Sequence, residues 1–522
     1  MKLVVVLLVA GAGLTAAGLT LPQANQTDEE YVLPKGFIIG AGTSSYQVEG
    51  AWNESGKGVS VFDYYYHTRQ PDGPNADVAC DSYHKYKEDV AVAKALKMQM
   101  YRFSLSWSRI LPDGDPKNVN KEGIEYYNNL ISELLANEIE PFITLYHFDH
   151  PQVLEDTIGG WTNYSMIEKM EQFGRVAFDA FANRVKYWVT LNEPHMHCYV
   201  VYNVASVPPA KPSAGLGEYQ CIYHELVAHS RLYHMFKNEY AAKARPGTVI
   251  GLTAETFFAS PLDNKYENIA AAERYNLFEL GIQFDPIIYG DYPEVVKKYV
   301  KAASLAEGRT ESRLPNFTEE EKKLLKGSTD FLGINAYFGK TVHAGLDGRS
   351  RNPSPQRDMQ VVLDSPLDFS GAFSTSTPQS FRSCLLWLRD RYNNMGVFIT
   401  ENGLATQNGE GVHDHNRAAY HSAYLREAVK AIRDDNCNVL GVTIWSLLDG
   451  FEWGSKRMMG LVYIDYTTPD RTRVLKESSA FYIQLMTDRK VPYVAWNSSS
   501  ARQPIAYLAV LFAAALTVSL NH

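Results

Sequence analysis

The sequence predicts an α/β protein built as a single (β/α)8 barrel, the TIM-barrel architecture. Short runs of strand-forming residues recur eight times along the chain. Helix-like patterns separate them, so strand and helix alternate as a parallel barrel requires. Polar side chains gather where the runs end, which is the edge at which such barrels carry their chemistry.

The eight runs are dominated by β-branched, aromatic and other apolar residues, which favour strands. In chain order they span 37–43, 100–107, 142–146, 187–191, 249–254, 331–337, 397–400 and 439–446. The helical patterns between them include 83–96, 123–137, 167–183 and 417–434. A chain of 522 residues with 45% hydrophobic content can fill one elaborated barrel, so we expect a single domain over 31–495.

Two glutamates stand out at the ends of these runs. Glu193 and Glu401 each lie where an apolar run stops at a loop, within 190–194 and 399–403. Sugar transfer needs one carboxylic acid to protonate the leaving oxygen and one carboxylate to attack or stabilise the anomeric carbon. The pair therefore predicts glycoside hydrolysis. Carboxyls facing each other across a small barrel can reach the separation of about 5 Å that retaining enzymes use.

The other strand ends predict a crowded polar mouth. In strand order they carry Gln47, Arg102, His147, Asn192, Glu255, Asn335, Tyr337 and Trp445, followed by Glu452 and Trp453. The segment 339–378 is too long for a simple connection, and we expect it to fold over this mouth.

The net charge and the N-terminal residues indicate what the protein binds and where in the cell it is sent. The formal net charge of -9, without a long basic run, argues against nucleic acid as a partner. Residues 1–18 match a signal peptide, which predicts the secretory pathway and an extracellular or cell-surface location. Five glycosylation sequons fit that compartment. They begin at Asn25, Asn53, Asn163, Asn316 and Asn497.

The segment 497–522 is similar to a GPI-attachment signal. Small polar residues at 497–501 precede an apolar run at 505–520. That run is shorter than the roughly 20 residues of a spanning helix, and no positive cluster follows it, so a retained tail anchor is the weaker alternative. We expect membrane attachment through the C-terminus.

The five cysteines are too sparse for a disulfide scaffold. Cys198 and Cys221 are the preferred pair, and buried free thiols are the alternative. His195, His197 and Cys198 have a spacing that could ligate zinc, but their position just beyond Glu193 favours loop packing or a leaving-group pocket. We therefore predict no metal and no cofactor.

Several longer motifs follow one another along the chain. They are Ala-Gly-Thr-Ser-Ser-Tyr-Gln-Val-Glu-Gly-Ala-Trp at 41–52, Tyr-Arg-Phe-Ser-Leu-Ser-Trp-Ser-Arg-Ile at 101–110, Asn-Glu-Pro at 192–194, Thr-Glu-Asn-Gly at 400–403, Trp-Ser-Leu-Leu-Asp at 445–449 and Phe-Glu-Trp at 451–453. On these motifs, residues 33–494 resemble glycoside hydrolase family 1, the β-glucosidase family, and in particular its animal and insect members.

The resemblance implies specific roles. Glu193 would be the acid/base and Glu401 the nucleophile that forms a covalent glycosyl-enzyme with a β-glycoside. Arg102 would hold the Glu401 carboxylate and lower its pKa, and Tyr337 would donate a hydrogen bond to it. Glu193 must start protonated, which calls for a dry site beside the charge of Glu401. The sugar-binding residues would be Gln47, His147, Asn192, Glu452 and Trp453, with Trp445 as the stacking platform.

Some positions depart from the family pattern. Phe148 stands where the family usually has Trp, and Gly450 stands at a usual Asn. The others are Met458 and Met459 for an Arg-Phe pair, Glu255 at an Asn-like position, and His150 for an apolar residue. These departures bear on the preferred sugar and on the rate, and they leave the carboxylate pair intact.

The main hypothesis is thus a retaining β-glycosidase acting on small-molecule or oligosaccharide β-glucosides. One alternative is a thioglucosidase, or myrosinase, acting on glucosinolates, although retention of Glu193 favours O-glycosides. A second is a catalytically silent sugar-binding or receptor-like barrel, against which Arg102 and Tyr337 argue together with both glutamates. A third is a metal-dependent barrel hydrolase.

Overall fold

Eight parallel strands close into a barrel in a computed structural model that describes residues 31–364, 372–406, 410–455 and 457–497. Each strand pairs with the next in the chain, and β8 closes on β1. The strands are β1 (Ile38–Gly42), β2 (Met100–Ser104), β3 (Glu140–Tyr146), β4 (Tyr187–Asn192), β5 (Val249–Thr256), β6 (Leu332–Ala336), β7 (Val397–Glu401) and β8 (Val439–Trp445). Each overlaps one predicted run, so the predicted (β/α)8 barrel is confirmed.

An apolar plug fills the amino-terminal end of the barrel. Its members are buried side chains at or near the strand starts. They are Met100, Phe142, Tyr187, Val189, Phe331 and Phe398. The Phe142 and Phe398 ring centroids lie 5.6 Å apart, and those of Phe331 and Phe398 lie 5.2 Å apart. Large rings fill this end of the barrel, so the polar side chains that point inward lie at the carboxyl end.

Helices surround the barrel and cover its outer surface. The four predicted patterns fold as Ser82–Ala95, Lys121–Ala136, Ser165–Phe181 and His415–Arg433. Lys121–Ala136 begins where the Asn120 side chain accepts a hydrogen bond from the Glu122 N–H at 3.2 Å. Other helices of the described chain are Ser45–Val48, Val61–Thr68, Trp107–Ile110, Gln152–Ile158, Pro194–Cys198, Gly217–Met235, Tyr266–Asn276, Ile282–Tyr289, Glu294–Ala306, Glu319–Leu325, Pro355–Asp358, Pro378–Arg391 and Ser479–Asp488.

The long segment after β6 reaches the carboxyl end of the barrel, as predicted. Strands Lys340–Ala344 and Val361–Leu363 join Ala259–Pro261 in a small sheet. The Phe373 ring packs edge-on against Tyr337, with centroids 4.9 Å apart. This segment therefore forms part of the rim of the mouth. A second small sheet pairs Val462–Ile464 with Arg473–Leu475.

One disulfide joins two segments beyond β4. Cys198 and Cys221 are bonded, with Cα atoms 5.7 Å apart, so the preferred pairing is confirmed. The free thiols of Cys80, Cys384 and Cys437 are buried.

The predicted targeting segments and glycosylation sites lie only partly within the described residues. The signal peptide, the Asn25 sequon and the apolar run at 505–520 lie outside the described residues. Among those described, no helix is both long enough and apolar enough to cross a bilayer. The sequon residues Asn53, Asn163, Asn316 and Asn497 are exposed.

Candidate active site

A cavity of about 230 Å³ opens at the carboxyl ends of the barrel strands. Its polar floor comes from strand ends or the loops that directly follow them, as the sequence predicted. These floor residues are His147, Asn192, Glu193, Glu255, Asn335, Tyr337, Glu401, Trp445, Glu452 and Trp453. Gln47 and Arg102 lie against this floor through contacts to Glu452 and Glu401.

Glu401, the last residue of β7, is held by two strong donors. Arg102 Nη1 donates to Oε1 at 2.5 Å, and the Tyr337 hydroxyl donates to Oε2 at 2.6 Å. Arg102 is itself fixed, because its Nη2 donates to Asn192 Oδ1 at 2.6 Å. Gly403 permits the turn beyond the glutamate, since a Cβ there would lie 1.9 Å from the Trp445 carbonyl oxygen. The Glu401 carboxylate is thus oriented at both oxygens.

Glu193 follows β4 in an unusual backbone conformation. Its φ of 48° and ψ of 61° place a non-glycine residue in the left-handed region, just before Pro194 begins a short helix. The backbone N–H of Glu193 donates to the Thr253 carbonyl at 2.8 Å, which anchors this turn to β5. Its carboxyl accepts one hydrogen bond, from Asn335 Nδ2 at 2.6 Å. The two glutamates therefore differ in their partners: Glu401 has hydrogen bonds from a cation and a phenol, whereas the described partner of the Glu193 carboxyl is a neutral amide.

These partners separate the proton affinities of the two carboxyls. Burial and the charges of Glu401 and Glu255 raise the pKa of Glu193 well above its ordinary range. Burial also raises the pKa of Glu401, while Arg102 and Tyr337 lower it. Arg102 acts to lower the pKa of Glu401, but burial outweighs it, which the sequence could not show. When the pair carries one proton, that proton belongs on Glu193.

The opposite wall combines aromatic faces with polar groups. The His147 ring lies nearly parallel to Trp445 and to Trp453, with centroids 5.7 and 6.0 Å away. Gln47 Nε2 donates to Glu452 Oε2 at 3.1 Å. Burial raises the pKa of Glu452 to about 7, and burial lowers the pKa of His147 well below its usual value, so the imidazole is neutral. This wall therefore presents the ring faces of Trp445 and Trp453 together with the polar groups of His147, Gln47 and Glu452.

The residues that depart from the family pattern differ in what they contact. Phe148 lines the cavity and stacks on His197, with centroids 4.8 Å apart. At Gly450, a Cβ would lie 3.0 Å from the Gln47 carbonyl oxygen, so glycine suits this close approach. Met459 lines the cavity, and Arg417 Nη1 donates to its carbonyl at 2.8 Å.

Two histidines near the mouth have fixed hydrogen-bond partners. His150, which does not line the cavity, bonds Glu155 through Nε2 at 3.0 Å. His197 Nδ1 bonds Glu225 at 2.6 Å. The zinc hypothesis for His195, His197 and Cys198 loses its thiolate, because Cys198 is in the disulfide.

Sequence reasoning missed two parts of the site. Asn335 was placed at a strand end, but its bond to Glu193 depends on the β6 register and on Thr400, whose hydroxyl donates to Asn335 Oδ1 at 2.8 Å. The apolar part of the cavity lining comes from loops and short helical segments, which are too short to give a periodic signal. It consists of Met196, Val200, Val207, Phe257 and Phe373.

A parallel barrel with two buried carboxyls of different proton affinity, beside aromatic faces and hydrogen-bonding groups, defines a sugar-cleaving class of enzyme. Comparison with known proteins gives the family. Residues 29–491 match the model of glycosyl hydrolase family 1, and the chain belongs to that family. It is therefore a glycoside hydrolase.

The similarity extends over nearly all of several relatives. The chain is 39% identical to Myrosinase 1 of Brevicoryne brassicae over 88% of its own length and 100% of that protein. It is 36% identical to the cytosolic beta-glucosidase of Homo sapiens, over 87% of this chain and 97% of that one. The solved structure of aphid myrosinase superposes with a TM-score of 0.82 and covers 88% of this chain and 99% of its own.

Proposed function

We propose that this glycoside hydrolase is a retaining β-glucosidase in which Glu401 is the nucleophile and Glu193 the acid/base. The observation that supports these roles is the unequal bonding of the two carboxyls. Arg102 and Tyr337 stabilise the ionised form of Glu401, and Asn335 gives Glu193 a single neutral donor. An ionised carboxylate and a protonated carboxyl are the starting states that a double displacement needs.

Two steps follow from this arrangement. In the first, Glu401 Oε attacks the anomeric carbon, while Glu193 gives its proton to the glycosidic oxygen and the aglycone leaves. The resulting ester is uncharged at Glu401, which removes one cause of the raised pKa of Glu193. Glu193 then takes a proton from water as that water attacks the ester. The separation of about 5 Å between the carboxyls stays a prediction; Asn335, which contacts both, supports it.

The wall formed by Gln47, His147, Trp445, Glu452 and Trp453 is proposed to bind the sugar ring. A pyranose offers hydroxyls for bidentate bonds and an apolar face for an indole. Because Gln47 already donates to Glu452, the pair presents its remaining acceptor and donor in a fixed orientation. The similarity to a beta-glucosidase supports β-glucosides as the substrate class.

A thioglucosidase activity is the second candidate, and the 39% identity to Myrosinase 1 favours it. A thioglucoside with a good leaving group needs little acid assistance. Glu193, buried with a raised pKa, supplies the assistance that O-glycosides need. We therefore rank O-glucosides first.

Two variants test the catalytic roles. Glu401→Gln should abolish turnover with an intact fold, because an amide cannot form the glycosyl ester. Glu193→Ala should slow substrates with poor leaving groups far more than nitrophenyl glucosides. Azide should partly restore turnover of the activated substrate, because this anion attacks the glycosyl-enzyme without a base. Near wild-type turnover by Glu401→Gln, or equal losses on all substrates with no azide effect, would refute the respective role.

A substrate panel separates the remaining alternatives. An aryl β-glucoside should be hydrolysed by the wild type, whereas a silent sugar-binding barrel would leave it intact. Glucosides, galactosides and a glucosinolate, compared by kcat/KM, would rank O- against S-glycosides. Higher kcat/KM for the glucosinolate than for every O-glucoside would reverse our ranking, and loss of activity with a chelator would favour the metal-dependent hydrolase.

We also propose that the enzyme enters the secretory pathway and carries a GPI anchor near 497–501. The sequence patterns at both ends and the exposed Asn53, Asn163, Asn316 and Asn497 support this address. Phosphatidylinositol-specific phospholipase C should release active enzyme from expressing cells, and a chain ending at Val494 should be secreted in active form. Retention after effective lipase treatment, with the intact tail found by mass spectrometry, would instead indicate a tail anchor.

A further inference from the structure

A second buried carboxyl lies beside Glu193 and has no role in the two chemical steps. Glu255 is the penultimate residue of β5, is 2% exposed and lines the cavity. In the pairing of β5 with β6 it lies opposite Asn335, the residue that donates to Glu193. The barrel register therefore places Glu255 one strand away from the proposed acid/base.

A ring of hydrogen bonds holds Glu255 in place. His195, two residues beyond Glu193, bonds Glu255 Oε1 through Nδ1 at 2.6 Å. Gln283 accepts from the His195 backbone N–H at 3.2 Å, and its Nε2 donates to Glu255 Oε2 at 3.4 Å. The turn that presents Glu193 and the carboxyl of Glu255 are thus fixed to the same partners.

The neighbouring carboxylates determine the charge of His195. Burial lowers the pKa of His195, but the carboxylates of Glu279 and Glu255 outweigh burial and raise it to about 9. His195 therefore pairs with the Glu255 carboxylate as an imidazolium, with Nδ1 and Oε1 2.6 Å apart. Glu279 and Glu225, from two other helical segments, are the further carboxyls that interact with Glu255.

The groups facing Glu193 lie on four strands, β2, β5, β6 and β7, and their effects on its pKa oppose one another. Glu401 and Glu255 disfavour its ionised form, while Arg102 and Asn335 favour it. Glu255 on β5 lines the same cavity as Glu193. His195, which bonds the Glu255 carboxyl, does not line that cavity.

We propose that Glu255, held by His195 and Gln283, is a positioning residue that sets the acid strength of Glu193. This inference rests on the proposed role of Glu193. The charge of Glu255 keeps Glu193 protonated to a higher pH, so the enzyme retains its acid over a wider range.

The test is the pH dependence of kcat/KM on an alkyl β-glucoside, whose alkaline limb reports ionisation of the acid. Glu255→Gln removes the charge and keeps the size, so the alkaline limb should move to lower pH by about one unit. Glu255→Asp keeps the charge and should leave the limb near its wild-type position. Glu225→Gln is the matched control, because it removes the charge from an equally buried carboxyl that bonds His197 at 2.6 Å and does not line the cavity.

The outcomes separate this inference from the proposed function. If Glu255→Gln leaves the limb in place, or if Glu225→Gln moves it as far, Glu255 is only structural and the inference is wrong. If Glu255→Gln does not fold, Glu255→Asn applies the same test. It also removes the charge, so the limb should move to lower pH, and an unmoved limb overturns the inference. An alkaline limb that persists in Glu193→Gln would instead overturn the acid/base role itself.

Discussion

Replacing Tyr337 by Phe should weaken the nucleophile in a way that two measurements detect. The hydroxyl donates to Glu401 Oε2 at 2.6 Å within a buried site, and Arg102 remains on Oε1. A hydrogen bond to a charged group contributes about 1.5–3 kcal/mol. If the transition state loses that amount of orientation and charge stabilisation, kcat should fall by about 10- to 150-fold.

The same change should move the acid limb of kcat/KM, which reports ionisation of the nucleophile. Tyr337 lowers the pKa of Glu401, so its loss raises that pKa, and the acid limb should move to higher pH by about one to two units. Tyr424→Phe is the matched control, because the Tyr424 hydroxyl donates to the Tyr337 carbonyl at 2.7 Å and not to Glu401. An unmoved acid limb in Tyr337→Phe, or an equal shift in the control, would refute this account.

Three further predictions address specificity and stability. Phe148→Trp adds an indole donor at the cavity and should change the ratio of kcat/KM between β-glucosides and their epimers by about 1 kcal/mol, the contribution of one hydrogen bond; an unchanged ratio removes this residue from specificity. Replacing Cys198 and Cys221 with Ser opens a link of sequence separation 23 and should lower the free energy of unfolding by about 3 kcal/mol in urea titrations of the catalytically intact protein. Although burial alone would raise it, the pKa of Glu155 is lowered to about 2 by His150 and Lys211, so its stabilisation is present above pH 5 and is lost as the pH falls toward 2; Glu155→Gln should flatten this part of the stability profile, and an unchanged slope would contradict the shift.

The sequence alone determined the barrel and the carboxylate pair. Alternation of strand and helix patterns can be read locally along the chain. It predicts a parallel barrel, because the helix after each strand carries the chain back to the end of the sheet where the next strand begins. Glu193 directly follows β4 and Glu401 ends β7, so the fold itself brings them to one mouth. Arg102 and Tyr337 were assigned to Glu401 by motif, and the structure places both within hydrogen-bond distance.

Tertiary structure decided everything that depends on contacts between distant segments. The pairing of Glu255 with His195, the donor role of Asn335 and the edge-on packing of Phe373 against Tyr337 arise from register and loop packing, which leave no periodic trace in the sequence. Burial is likewise a property of the whole fold. It raises the pKa of Glu401 even beside Arg102, because desolvation acts on a charge from every side while a single cation acts from one.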